Sequence, residues 1–163
     1  MKCDAKKFAQ MYEAVYVDLY RFALCLMKNQ QEAEDAVSEA VISAYENIRK
    51  LRKEEAFRSW IFTILSNICK KRLQKISQET PGELSCFNED MGGDTAVQDT
   101  DQSLAMDVRN AFFVLTEEEQ TIVGLSVIGG YNSSEIGGIL KLNANTVRSK
   151  RSRALAKMEC VLQ

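Results

Sequence analysis

The sequence predicts an all-α protein of two small helical domains joined by an acidic flexible linker, with a helix-turn-helix in the C-terminal domain. Three observations support this fold class. Apolar residues recur at three- and four-residue steps in several stretches, which is the spacing of one helix face. Residues 76–103 hold the only proline, many acidic side chains and no basic one. Near the C-terminus, two helical patterns flank a tight turn.

Charge is strongly segregated along the 163-residue chain, although the net charge is only −2. Residues 49–75 carry nine basic and two acidic side chains, and residues 145–163 carry five and one. Residues 76–107, between these basic islands, carry eight acidic side chains and no basic one. Because affinity for phosphate depends on the local density of lysine and arginine, the islands favour nucleic-acid binding in spite of the overall charge.

Several classes of function are not expected. The chain has no histidine, which is the commonest general base and metal ligand, and its five cysteines form no CxxC pair. We therefore expect neither catalysis nor a metal, a cofactor or a small-molecule substrate. No apolar run approaches the roughly 18 residues that a membrane span needs, and the N-terminus lacks the apolar core of a signal peptide. A cytoplasmic protein with reduced thiols is the prediction.

Residues 1–75 are assigned to the first domain. Residues 4–28 hold too many apolar positions for one narrow stripe, so this helix should be buried on more than one side. Asn29 followed by Glu32 has capping-box spacing and predicts a second helix to about Asn47. The inward positions of that helix are mostly small, which lets another helix approach closely. Its other faces are acidic, for which a solvated surface is the simple interpretation.

The stretch from Phe57 to Lys75 joins an apolar stripe to a basic end. The stripe, which requires a protein core, consists of Phe57, Trp60, Ile61, Ile64, Leu65 and Ile68. Ser66 and Asn67 open the basic end, which contains Lys70, Lys71, Arg72 and Lys75. Such a cluster suits phosphate, but cations also compensate the dipole at a helix C-terminus. The preceding loop begins with a further basic group, Arg49, Lys50, Arg52 and Lys53.

Residues 76–103 are too long for a connection within a domain and are interpreted as the linker, which leaves 104–163 as the second domain. Thr116 with Glu119, and Asn132 with Glu135, have capping-box spacing and mark two helix starts. A turn near residues 141–144 then precedes a longer helix, whose inward positions are expected to be Val147, Ala154, Leu155, Met158 and Val161. Polar and basic residues occupy the outside of its N-terminal half, as in a helix-turn-helix that reads DNA.

Together these residues resemble the extracytoplasmic-function (ECF) group of bacterial sigma factors, the small two-domain initiation subunits of RNA polymerase. EAEDAVSEAVISAYENI followed by FRSWIFTILSNICKKRL is similar to the family's acidic helix and its FRxWLxxIAxN helix. LTEEEQTIVGLSVIGGYNSSEIGGILKLNANTVRSKRSRALAKM follows the family's order of leucine opener, helix, glycine turn, S-x-x-E-I-A, turn and T-V-K/R-S-R. The resemblance covers nearly the whole chain and implies promoter-specific transcription initiation without catalysis.

The resemblance also implies partners and binding residues. The partners are core RNA polymerase, promoter DNA and an anti-sigma factor that could hold the protein at the membrane. The implied polymerase-binding residues are the acidic Glu32, Asp35 and Glu39. Those implied for minus-ten DNA are Arg49, Lys50, Arg52, Lys53, Asn67, Lys70, Lys71 and Arg72. Those implied for minus-thirty-five DNA are Asn145, Thr146, Arg148, Ser149, Lys150, Ser152 and Arg153.

One departure from the family pattern bears on stability. Gly137 and Gly138 are expected to weaken the first helix of the helix-turn-helix by roughly 1 kcal/mol each relative to alanine.

Two other classes of function are also consistent with the sequence. A helix-turn-helix regulator that never joins polymerase is the alternative function, and it would not need the acidic face around Asp35. A helical interaction scaffold is the other, and it would have no salt-dependent affinity for DNA.

Overall fold

The computed structural model describes residues 3–79 and 107–162, which belong to two compact units. The first unit contains α1 (Ala5–Met27), α2 (Gln30–Glu46) and α3 (Phe57–Glu79), with single 3-10 turns at Ile48–Lys50 and Glu54–Ala56. The second contains α4, described over 107–113, then α5 (Glu117–Val127), α6 (Ser133–Leu140) and α7 (Ala144–Leu162). The prediction of two all-α domains is confirmed. In the part of the chain described, no helix is long and apolar enough to cross a membrane.

The described residues include only the first four residues of the predicted linker, 76–79. Helix α3 continues to Glu79, four residues beyond Lys75, where the sequence pattern ended. Residues 80–103 of the predicted linker and 104–106 of the predicted second domain lie outside the described residues.

The helix starts follow the capping rules on which the sequence prediction rested. Asp4 caps α1 by accepting a hydrogen bond from the Lys7 backbone N–H at 2.8 Å, and the Asn29 side chain accepts one from the Glu32 N–H at 3.1 Å. Both predicted boxes of the second unit are reciprocal, those of Thr116 with Glu119 and of Asn132 with Glu135. A side-chain oxygen at these positions satisfies a backbone N–H that has no partner within the helix.

The core of the first unit forms where α1, α2 and α3 pack against one another. Phe22 of α1 and Phe62 of α3 meet edge to face with ring centroids 5.6 Å apart, and both are completely buried. Arg58 of α3 bonds Asp18 of α1 at 3.1 Å and lies over the Phe62 ring. Helix α2 contributes a face of small residues with no exposed surface: Ala33, Ala36, Ala40 and Ala44.

The buried face of α3 is displaced from the predicted stripe. Phe57, Ile61 and Leu65 are buried as expected, but Phe62 and Cys69 are fully buried as well. The predicted core positions that are only half-buried are Trp60, Ile64 and Ile68. Because α3 contacts both α1 and α2, its core-facing surface is wider than one stripe and is centred between two neighbours. Ser66, which the sequence analysis grouped with the basic end, is also buried.

The core of the second unit brings α5 and α7 together. Leu115, Val123 and Ala154 form its buried cluster, against which Phe112 and Met158 pack. Val147 is also fully buried, as predicted. The inward assignment of Leu155 and Val161 is wrong, because their exposed fractions are 42% and 46%. Leu155 lies one residue, about 100° of helix rotation, beyond the buried Ala154 and so falls outside the contact with α5.

The turn of the helix-turn-helix depends on Gly137. Lys141 ends α6 in the left-handed conformation, with φ of 60°, and the Gly137 carbonyl accepts hydrogen bonds from the backbone N–H groups of Lys141 and, at 2.9 Å, of Leu142. A Cβ at Gly137 would lie 2.6 Å from the Leu142 carbonyl oxygen. A Cβ at Gly138, in contrast, would point into open space, with no packed neighbour within 4 Å. The two glycines therefore differ, although the sequence assigns them the same cost.

Alanine substitutions should separate the two glycines. We expect Gly137→Ala to destabilise the second unit by about 1–3 kcal/mol, because the methyl group would overpack against backbone. Gly138→Ala should stabilise it by about 0.5–1 kcal/mol, because alanine has the better helix propensity. Urea unfolding of the full chain, followed by far-UV circular dichroism, measures both. Fluorescence of Trp60, the only tryptophan, reports the first unit and should not change. Equal effects of the two substitutions would contradict the assigned role of Gly137.

Candidate functional site

The acidic face predicted for polymerase lies on α2. Glu32, Asp35 and Glu39 are spaced by three and four residues, which places them on one side of the helix. Asp35 is half-buried and accepts a hydrogen bond from Gln31 at 3.0 Å. Glu32 is also half-buried, whereas Glu39 is exposed. The structure therefore brings the three predicted carboxylates together on one surface.

Arg72 of α3 binds two of these carboxylates. Its Nη1 donates to Glu32 at 3.2 Å and its Nε donates to Glu39 at 3.1 Å, while Nη2 lies 3.0 Å from the same Glu39 oxygen. Burial alone would lower the pKa of Arg72, but the hydrogen bonds and charges of Glu39 and Glu32 outweigh it and raise the pKa above its ordinary value. A residue predicted to bind DNA thus pairs with residues predicted to bind polymerase, a contact that no sequence pattern signalled.

The remaining residues predicted for minus-ten DNA form two separate groups. In the loop, the side chains of Arg49, Lys50, Arg52 and Lys53 are exposed, while Leu51 between them is buried and anchors the loop. Asn67, Lys70 and Lys71 are exposed on α3. Lys70 is 13 residues along α3 from its first residue Phe57, about 20 Å by the helix rise. The loop group precedes the first residue of α3, whereas Asn67, Lys70 and Lys71 lie near the middle of the helix.

The Cys69 thiol, near Arg72 on α3, is unreactive. Cys69 lies one turn before Arg72 and has no exposed surface. Burial is the main cause that raises the pKa of Cys69 to about 12. The charge of Arg72 lowers this pKa and the charge of Glu39 raises it, and both effects are smaller than that of burial. Because the thiolate is the reactive form of cysteine, this residue serves as core filler. Among the described residues, no three His, Cys, Asp or Glu side chains are grouped as a metal site.

The predicted recognition residues lie on the N-terminal half of α7. Most are exposed, namely Asn145, Arg148, Ser149, Ser152 and Arg153, and Thr146 and Lys150 are half-buried. The Asn143 side chain, which the sequence analysis missed, accepts a hydrogen bond from the Asn145 N–H at 2.8 Å at the start of α7. Asn145 in turn accepts one from Arg148 Nη1 at 2.6 Å. An Asn immediately before the first residue of a basic helix was the available signal for this cap.

Two ion pairs fasten α7 to α5. Lys150 pairs with Glu118, and Lys157, two turns further along α7, pairs with Glu119 at 2.9 Å. Glu119 is buried and also closes the capping box with Thr116. Burial alone would raise the pKa of Glu119, but hydrogen bonds from Lys157 and Thr116 outweigh it and lower the pKa below its usual range. The sequence identified Glu119 as a cap but not as a partner of α7.

Comparison with known proteins places both units in one family. The family model for sigma-70 region 2 matches residues 11–79, and that for sigma-70, region 4 matches residues 106–158. RNA polymerase sigma factor SigV of Bacillus subtilis strain 168 is 30% identical over 151 residues, covering 89% of this chain and 84% of SigV. ECF RNA polymerase sigma factor SigM of Mycobacterium tuberculosis H37Rv is 26% identical over 159 residues, covering 98% of this chain and 79% of SigM.

Solved structures agree on the fold. The sigma factor RpoE, crystallised with the anti-sigma factor NepR from Bartonella quintana, aligns with a TM-score of 0.77 at 22% identity, covering 97% of this chain and 98% of that one. CnrH, solved with the cytosolic domain of CnrY, aligns with a TM-score of 0.73 at 19% identity, covering 98% of this chain and 89% of CnrH.

The chain belongs to the ECF group of the sigma-70 family. This confirms the resemblance seen in the sequence.

The lowered pKa of Glu119 makes the stability of the second unit depend on pH. Above the unfolded-state pKa, about 4.5, the stabilisation by Lys157 and Thr116 is fully present. It is lost as the pH falls through the lower folded-state pKa, because the carboxylate must then bind a proton. We expect Glu119→Gln to lower stability at pH 7 and to flatten the decline in acid. Urea unfolding between pH 7 and pH 3, with Glu159→Gln as the exposed control, measures this. Equal pH profiles for wild type and Glu119→Gln would contradict it.

Proposed function

We propose that this protein binds core RNA polymerase and directs promoter-specific transcription initiation by recognising minus-ten and minus-thirty-five elements. The observation that carries the proposal is the division of charge between faces: α2 presents acidic residues, and α3, its preceding loop and α7 present exposed cations. Opposite charges on separate faces suit one protein partner and one nucleic-acid partner. The ECF relatives, whose names describe RNA polymerase sigma factors, support the same function.

Each face has a defined role in the proposal. Glu32, Asp35 and Glu39 dock on polymerase, where their charge steers the encounter. The loop around Arg52 holds a base flipped from the minus-ten element, and Asn67, Lys70 and Lys71 hold the adjacent DNA. Flipping a base costs a few kcal/mol, which contacts to the phosphate backbone help to offset.

The exposed face of α7 reads the minus-thirty-five element. Arg148 and Arg153 are its strongest candidates for base contacts, since arginine reads guanine by two hydrogen bonds worth about 1–3 kcal/mol of discrimination. Asn145 and Thr146 lie at the N-terminus of the helix, the end that enters the major groove in helix-turn-helix proteins. Ser149 and Ser152 have side chains suited to phosphate contacts.

The proposal extends to location and regulation. A protein that joins polymerase acts in the cytoplasm and needs no catalysis of its own. RpoE was solved with the anti-sigma factor NepR, and CnrH with the cytosolic domain of CnrY. We infer that an anti-sigma factor also regulates this chain, and that it could hold the chain at the membrane.

Transcription in vitro with bacterial core polymerase and a promoter library tests the proposed function. We expect wild type to initiate at defined sequences and Asp35→Lys/Glu39→Lys to abolish initiation by losing polymerase. Glu13→Lys, a charge reversal at an exposed position of α1, is the matched control and should remain active. Failure of wild type to bind polymerase, with retained DNA binding, would instead favour a regulator that acts alone.

Substitution on α7 tests promoter reading separately. We expect Arg148→Ala/Arg153→Ala to keep its affinity for core polymerase and to lose at least about tenfold in its preference for an intact over a scrambled minus-thirty-five element. Competition binding of the assembled holoenzyme to the two DNAs measures the ratio. An unchanged ratio would show that these arginines do not read bases.

The ion pair between Lys150 and Glu118 predicts a gain in DNA affinity on substitution. Because Glu118 neutralises Lys150, Glu118→Gln should release the lysine for phosphate and make the slope of log affinity against log salt steeper by about one. Glu159→Gln removes the same charge from an exposed position on α7 and should leave the slope unchanged. Holoenzyme binding to promoter DNA at several salt concentrations measures the slopes. Equal slopes for wild type and Glu118→Gln would mean that Lys150 contributes nothing to phosphate binding.

A further inference from the structure

Arg72 differs in its surroundings from the basic residues beside it. Lys70 and Lys71 are exposed on α3, whereas 30% of the Arg72 side chain is exposed. Successive residues on a helix are rotated by about 100°, so the three side chains leave α3 in different directions. Arg72 is directed toward the acidic side of α2, which packs against α3.

The contacts of Arg72 span the acidic face. Glu32 and Glu39 are seven residues apart on α2, about 10 Å along its axis. Arg72 is hydrogen-bonded to both through different guanidinium nitrogens, at 3.1 and 3.2 Å. Asp35 lies between them in sequence and bonds Gln31. The planar guanidinium has five donors in fixed directions, so one arginine can fix two carboxylates in a way that a lysine cannot.

These contacts also disfavour the binding of a phosphate at Arg72. An arginine binds phosphate through paired N–H groups, but Nε, Nη1 and Nη2 of Arg72 all face carboxylate oxygens. A phosphate bound at Arg72 would also lie close to the carboxylates of Glu32 and Glu39, which carry charge of the same sign. The arrangement therefore favours a role on the polymerase side of the domain.

We propose that Arg72 is a positioning residue, which holds Glu32 and Glu39 at a fixed spacing on the face that docks on polymerase and makes no contact with DNA. This inference rests on the proposed function, because it takes α2 as the polymerase-binding helix. It reassigns a residue that the sequence grouped with the minus-ten DNA contacts.

The test measures two quantities for each variant of the full chain: the Kd for core polymerase, and the salt slope of promoter binding by the assembled holoenzyme. We expect Arg72→Ala to raise the Kd about fivefold, as for misaligned charges in an interface, and to leave the slope unchanged. Arg72→Lys keeps the charge without the fork and should recover only part of the affinity. Lys71→Ala is the matched control, with an unchanged Kd and a slope about one unit shallower.

A double substitution separates positioning from a general loss of structure. If Arg72 acts through Glu39, the effect of Arg72→Ala on the Kd should be smaller in a Glu39→Gln background than alone. A shallower salt slope for Arg72→Ala with an unchanged Kd would overturn the inference and make Arg72 a DNA contact. Tighter polymerase binding would overturn it too, since Arg72 would then mask the carboxylates. Wild type that fails to bind polymerase would overturn the proposed function, and the inference with it.

Discussion

The first unit depends on the close packing of α2 through its alanines. Ala33, Ala36, Ala40 and Ala44 recur at three- and four-residue steps with no exposed surface, and α2 contacts both α1 and α3. Without bulky side chains, helix axes can approach to the lower end of the usual range of about 8–10 Å. This proximity lets Arg72 of α3 reach across to Glu32 and Glu39. The organisation of the acidic face thus follows from small residues on an adjacent face of the same helix.

Both units use carboxylates to neutralise cations of an adjacent helix. Glu32 and Glu39 engage Arg72 in the first unit, and Glu118 engages Lys150 in the second. A count of basic residues therefore overstates the charge available to DNA in each region. The exposed cations of these helices include Lys70 and Lys71 on α3, and Arg148 and Arg153 on α7. Isolated surface ion pairs contribute little to stability, so their main effect here is to decide which cations face a ligand.

Features set by neighbouring residues could be predicted well from the sequence. The caps at Asn29, Thr116 and Asn132 were found because a side-chain oxygen and the N–H three residues later are close in any helix start. The helix-turn-helix and its turn near residue 141 could also be predicted, because their pattern depends on neighbouring residues. Prediction was weaker where burial depended on another helix: Leu155 was placed inside and is exposed, while Ser66, grouped with the basic end of α3, is buried.

Spacing along the chain was sufficient to predict the helices, their capping, the two-domain helical fold and the family. The packing of the helices sets which charged residues remain available, because Arg72 and Glu39 are 33 residues apart and Lys150 and Glu118 are 32 apart. It also distinguished Gly137 from Gly138, since a contact with the Leu142 carbonyl is made only after the turn has folded back. The periodicity of a sequence sets the direction in which a side chain leaves its own helix. Which residue that side chain contacts depends on how a second helix packs against the first.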